Sequence, residues 1–127
     1  MTLTDVLDYV IHKSDEDCAD LVLRAIYEGV DINDYDNVAI RFAIYENKII
    51  TVRVLMDHVD PNYRLIVLRM AVEFENDKIL RMLLRDKRYM VSLTRHFVTS
   101  YLVVFKTLKH ITNLDNIEDI IKYIKLL

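Results

Sequence analysis

The chain has 127 residues, of which 53% are hydrophobic and 29% charged, and a formal net charge of −3. That length sets the expectation of a single domain, 1–127, and that apolar share supplies a core and excludes intrinsic disorder, which needs low hydrophobicity. One glycine and one proline exclude an all-β fold with its many turns, and one cysteine, Cys18, excludes an internal disulfide.

Thr4-Asp5 is a cap signal for a first helix through Leu7, Val10 and Ile11, because an aspartate at a helix N-terminus accepts free backbone N–H groups and favours the dipole. Ser14 to Asp17 is a second cap signal. It opens a helix over about 16–28 that buries Ala19, Leu21 or Val22, Ala25 and Ile26 and ends at Gly29. Cys18 falls on this helix as a small apolar residue. The stretch 33–60 then reads as two short helices. Turn-forming Asn33, Asp34, Asp36 and Asn37 lead into an apolar run at Ala39, Ile40 and Ala43; a polar break at Glu46, Asn47 and Lys48 precedes a second run at Ile49, Val52, Leu55 and Met56. Apolar residues recurring at three- and four-residue steps argue for helices over strands.

Pro61-Asn62 breaks the chain, and helices over about 66–73 and 78–84 follow, closed by a charged turn from Arg85 to Arg88. Helices over about 93–100 and 102–111 come next. Thr112 or Asp115 caps a last helix, in which Ile117, Ile120, Ile121, Ile124 and Leu127 or Leu126 form a stripe. The stripe either caps the open end of the fold or docks a partner or a second copy of the chain.

The middle of the chain repeats itself. A shift of 28 residues carries Ala43 onto Ala71, Arg41 onto Arg69, Val52 onto Leu80, Arg53 onto Arg81 and Leu55 onto Leu83. A shift of 29 carries Val30-Asp31 onto Val59-Asp60, and a further 28 from Ala71 reaches Thr99 in a weak last copy. Self-similarity at such a period marks stacked supersecondary units.

At these residues the chain resembles the ankyrin repeat. Gly29-Val30-Asp31-Ile32-Asn33 is similar to the Gly-Ala-Asp-Ile-Asn that ends an ankyrin unit. Asp36-Asn37-Val38-Ala39-Ile40-Arg41-Phe42-Ala43 is similar to the opening of the shortened repeats common in large DNA viruses. Ile49, Val52, Leu55 and Met56 match the second helix. No Thr-Pro-Leu-His box is present, and with one glycine in the chain Asn47 and Asn76-Asp77 stand at the turns before the second helices. The resemblance implies an all-α, short ankyrin-like helical-repeat solenoid. Its units would lie at about 4–33, 34–62, 63–90 and 91–112, with an atypical N-terminal helix pair and a C-terminal cap helix at 115–127. It implies a non-enzymatic protein–protein interaction module. With a residue usage rich in Ile, Asp, Asn, Lys and Tyr, it also implies a viral protein that binds and inhibits or redirects a host protein. The alternatives are a Bcl-2-like helical bundle that engages a partner helix, and a regulator that binds nucleic acid through the basic patch at 81–88.

The family's inter-repeat turns and first helices form its binding face. This points to Tyr35, Tyr63 and Tyr89, in or beside three successive turns, and to Arg41, Tyr45, Arg69 and Glu73 on the first helices. Tyrosine supplies large contact area at low entropic cost. Arg41 and Arg69 also take the slot of the box histidine, which bonds turns in that family.

Charge is uneven: residues 1–63 carry a formal −8, residues 64–109 a formal +6, and 110–127 a formal −1. Arg81, Arg85, Lys87 and Arg88 are the densest basic group, either a solvated helix end or a docking patch for an acidic protein surface. Catalytic, cofactor and metal sites are not expected. His12, His58, His96 and His110 are widely spaced, no Cys-x-x-Cys or Walker loop occurs, and one glycine cannot build a phosphate cradle. The N-terminus lacks a basic segment followed by an apolar run, and the longest uncharged apolar stretch, 97–105, is far short of the ~20 residues of a membrane span. The expectation is a soluble intracellular protein in a host cytoplasm, with no membrane contact.

Overall fold

The computed structural model describes residues 1–127 as ten α-helices, with two short 3-10 turns and no strand. The expected domain is divided by its own contacts into two compact units, 1–60 and 61–127. The division falls at Pro61, where the sequence places a chain break.

The first unit opens with α1 (Leu3–His12) and α2 (Asp15–Tyr27). The cap of α1 is Thr2, two residues before the sequence signal at Thr4-Asp5. Thr2 and Asp5 form a reciprocal capping box, with Thr2 N–H donating to Asp5 Oδ2 at 2.8 Å and Asp5 N–H to Thr2 Oγ1 at 3.3 Å. Ser14 caps α2 as expected, accepting from Asp17 N–H at 3.2 Å. Both Leu21 and Val22 are buried on α2 beside Cys18, Ala19 and Ala25, while Ile26 is only partly covered. Gly29 follows the helix at φ 85°, the left-handed conformation glycine adopts without a Cβ clash.

Next come α3 (Asp34–Tyr45) and α4 (Ile49–Leu55), which ends in a 3-10 turn at Met56–His58. The start of α3 is not right-handed. Tyr35, Asp36 and Asn37 all have positive φ, at 52°, 56° and 56°, so the regular helix begins at Val38. Each such residue costs about 1–2 kcal/mol, less for Asn and Asp. Arg41 holds the turn: its Nε donates to the Asp36 carbonyl at 2.9 Å and its Nη2 to the Tyr35 carbonyl at 3.0 Å. The N-terminus of α4 is capped from another helix. The Asp15 carboxylate accepts from Ile50 N–H at 2.8 Å, Thr51 N–H at 2.9 Å and the Thr51 hydroxyl at 2.8 Å. Lys48 Nζ in turn donates to the Lys13 carbonyl just past the end of α1, at 2.7 Å. Both contacts put the favoured sign of charge at a helix end.

The second unit starts with a 3-10 turn at Pro61–Tyr63, then α5 (Arg64–Glu73), α6 (Asp77–Leu84), α7 (Lys87–Met90), α8 (Arg95–Ser100), α9 (Leu102–Thr112) and α10 (Ile117–Lys125). The segment expected as a charged turn thus contains α7, capped by Asp86, whose carboxylate accepts from Arg88 N–H at 2.9 Å. Thr94 caps α8, so that helix starts two residues later than the sequence suggests. Asn116, one residue past Asp115, the later of the two expected cap positions, accepts from Asp119 N–H at 3.0 Å and starts α10. Ile120 and Ile124 of α10 are buried, the helix packs on α9, and Arg95 pairs with Glu118. The centre of the C-terminal stripe is therefore covered within its own unit and is not a free docking face.

The 28-residue shift is written into the backbone. The helices α3 and α5 end at Tyr45 and Glu73, and α4 and α6 begin at Ile49 and Asp77. In the turn between them, Lys48 N–H donates to the Ala43 carbonyl and Asn76 N–H to the Ala71 carbonyl, both at 2.9 Å. The left-handed residue of each turn is Asn47 at φ 57° and Glu75 at φ 56°. The sequence reading names Asn47 and Asn76-Asp77 for these turns; in the second copy the left-handed residue is instead Glu75, one position before Asn76. Burial repeats too: Ile40, Ala43, Val52 and Leu55 are buried, as are Leu68, Ala71, Leu80 and Leu83. The step onward from Ala71 fails, because Thr99 is exposed.

Candidate protein-interaction surface

The structure separates the expected contact residues into two groups. Tyr35 and Tyr45 project into solvent, 73% and 68% exposed. Tyr35 owes this to the left-handed turn, which points it away from the apolar run that follows. Tyr45 is the last residue of α3, two positions beyond the buried Ala43 and so off the core arc. Arg69 is exposed on α5 with an i,i+4 partner, Glu73, at 3.6 Å. It bonds no turn carbonyl, unlike Arg41.

Tyr63 and Tyr89 do not belong to a contact surface. Tyr63 ends the 3-10 turn that leads into α5 and is buried at 8% exposure. Tyr89 is fully buried in α7, with the Arg64 guanidinium 5.8 Å from its ring centre. The physical reason is the helix at Lys87–Met90, which turns residue 89 inward where an open turn would have left it outside.

The basic group also divides. Arg88 is committed to Asp86, with Nε and Nη2 donating to the two carboxylate oxygens at 3.0 and 2.7 Å. The guanidinium and its backbone N–H hold the Asp86 carboxyl below its usual range. Arg85 and Lys87 stay exposed without an ion pair. They continue a stripe on α6 formed by Lys78 and Arg81, of which Lys78 lies outside the group the sequence singles out.

Two apolar features escape the sequence reading. Leu23 and Tyr27, four residues apart on α2, are 53% and 92% exposed and line a shallow cleft with Arg24 and Glu28. Their helical spacing opposite Val22 and Ala25 was the signal available. In the second unit, Val98, Thr99, Leu102, Phe105 and Ile117 line a cleft where α8, α9 and α10 meet; nothing in the local sequence marks it, because it depends on three helices converging. No group of three His, Cys, Asp or Glu side chains is placed to hold a metal ion, and no helix is long and apolar enough to cross a membrane. Cys18 is buried beside Thr51, and burial pushes its thiol above the usual range. Comparison with protein-family models, with curated proteins and with solved structures finds no match.

Proposed function

We propose that the chain is a non-enzymatic protein-interaction module built from short ankyrin-like helix pairs, and that its contact face includes Tyr35 and Tyr45. The observation that carries this reading is the repeated α3–α4 and α5–α6 pair, with the same turn hydrogen bond and the same left-handed residue 28 positions apart. Such a pair cannot bury its apolar face alone, and repeating it makes a scaffold whose outward residues are free to vary. Two large aromatic side chains held out of the core on one such pair, one of them by a strained turn clamped by Arg41, suit recognition of a protein surface. A viral protein acting on a host protein remains the proposal for its setting, resting on residue usage and the resemblance to shortened viral repeats.

The test replaces Tyr35 and Tyr45 together by Ser and compares capture from host-cell lysate with the parent chain, with circular dichroism as the fold control. A protein retained by the parent, cross-linked through a photoreactive group at position 35, and lost by the folded variant supports the reading. Equal recovery by both overturns the assignment of this face.

A further inference from the structure

The outward arc of α6 is a second candidate surface with a chemistry of its own. Ile79, Leu80, Leu83 and Leu84 are buried. At 100° per residue Lys78, Arg81 and Met82, with Arg85 at the C-cap, share the opposite face, and the exposed Asp77 of the first turn lies at its edge beside Arg81. The three cations are exposed and have no side-chain hydrogen bond or ion pair, while Met82 is half-buried between them. Lys87 adds a fourth exposed cation just beyond the helix.

The internal repeat shows that folding does not require these charges. The same arc on α4 and its following turn, 28 residues earlier, carries Ile50, Arg53, Val54 and Asp57, with no net charge. A helix of the same kind, with the same entry turn, forms on both. Arg81 and Arg85 near the C-terminal end of α6 favour the helix dipole, but Lys78 in its first turn opposes it. The helix therefore bears one of its cations at a small cost.

We propose that the α6 arc docks an acidic, amphipathic helix of a partner protein, whose carboxylates pair with Lys78, Arg81 and Arg85 around an apolar side chain seated on Met82. This inference rests on the interaction-module reading above and names the partner chemistry of a separate face. Three cations spread over eight residues span about 10 Å of helix, a length that matches carboxylates one turn either side of a central residue on another helix. Met82 supplies the adaptable apolar contact that methionine gives at such surfaces. A polyanion such as nucleic acid is disfavoured, because residues 1–60 of the same chain carry a formal −8.

The test uses the full chain and a labelled helical peptide with a central Leu flanked by Glu at i−4, i−3, i+3 and i+4. Its controls are a scrambled peptide of the same composition and a single-stranded oligonucleotide of the same charge, with binding read by fluorescence anisotropy. The patterned peptide should bind best. Arg81→Glu with Arg85→Glu should weaken it about tenfold or more, and higher salt should do the same. Met82→Ser should weaken the Leu peptide several-fold and leave a Leu→Ser peptide unaffected. Circular dichroism checks each variant, and Lys78→Gln with Arg85→Gln replaces the charge reversal if that variant unfolds. The proposal is overturned by equal binding of the scrambled peptide, by tighter binding of the oligonucleotide, by salt-sensitive self-association that the charge reversal abolishes, or by no binding at all. If the peptide fails while Tyr35/Tyr45-dependent capture persists, this inference falls and the interaction-module reading stands.

Discussion

The α3–α4 and α5–α6 pairs share their interior and differ almost everywhere else. Ala43 and Ala71 are both buried, both turns close with the same hydrogen bond, and both use a left-handed residue without a glycine. Yet the first pair begins in a three-residue left-handed turn with a projecting Tyr35, and the second begins in a 3-10 turn with a buried Tyr63. The lesson is that the 28-residue period preserves what packing demands, small residues against neighbouring helices and a fixed turn. The entry to each pair and its outer surface are free to diverge, and so those are the places where function is written.

The strongest way to break the comparison is to strike what the two pairs share. Ala43→Asp and Ala71→Asp each put an unpaired carboxylate into a buried site in the core. Each should cost at least about 3 kcal/mol and unfold its unit, read by urea denaturation. An unchanged melt in either variant would sink the shared register.

A smaller effect separates the pairs. Arg41→Ala removes two charge-assisted bonds to the carbonyls of the left-handed turn and should destabilise by ~1–2 kcal/mol. Arg69→Ala, at the equivalent position, removes only an exposed pair with Glu73 and should cost ~0.5 kcal/mol or less. Equal losses would mean that the arginines play one role, as the sequence had suggested.

The smallest effect is a gain. Glu75→Gly should stabilise by ~0.5–1 kcal/mol, because glycine occupies φ 56° without strain. Asn47→Gly should gain less, since asparagine tolerates that conformation better. Thermal melts of the two variants side by side give the ranking, and the reverse order would contradict the strain assigned to Glu75.

Much of the fold was legible in residue order. The apolar steps located the helices of both central pairs, Ser14 and Gly29 marked the limits of α2, and Pro61 marked the boundary at which the contacts divide. The site was less legible. Tyr35 is exposed, but Tyr63 and Tyr89 are not, although all three stand in or beside successive turns of the sequence.

What the amino-acid order determined by itself was local: helical periodicity, side-chain caps such as Ser14, and the alanine pair that sets the 28-residue register. These depend on a few neighbouring residues and on the fixed geometry of the helix. Only the tertiary structure decided that Asp15 caps α4 and that Tyr89 turns inward on α7 while Lys78, Arg81 and Arg85 stay free. Each of those outcomes depends on which charges and helices approach one another in space, a matter of long-range packing that spacing along the chain does not encode.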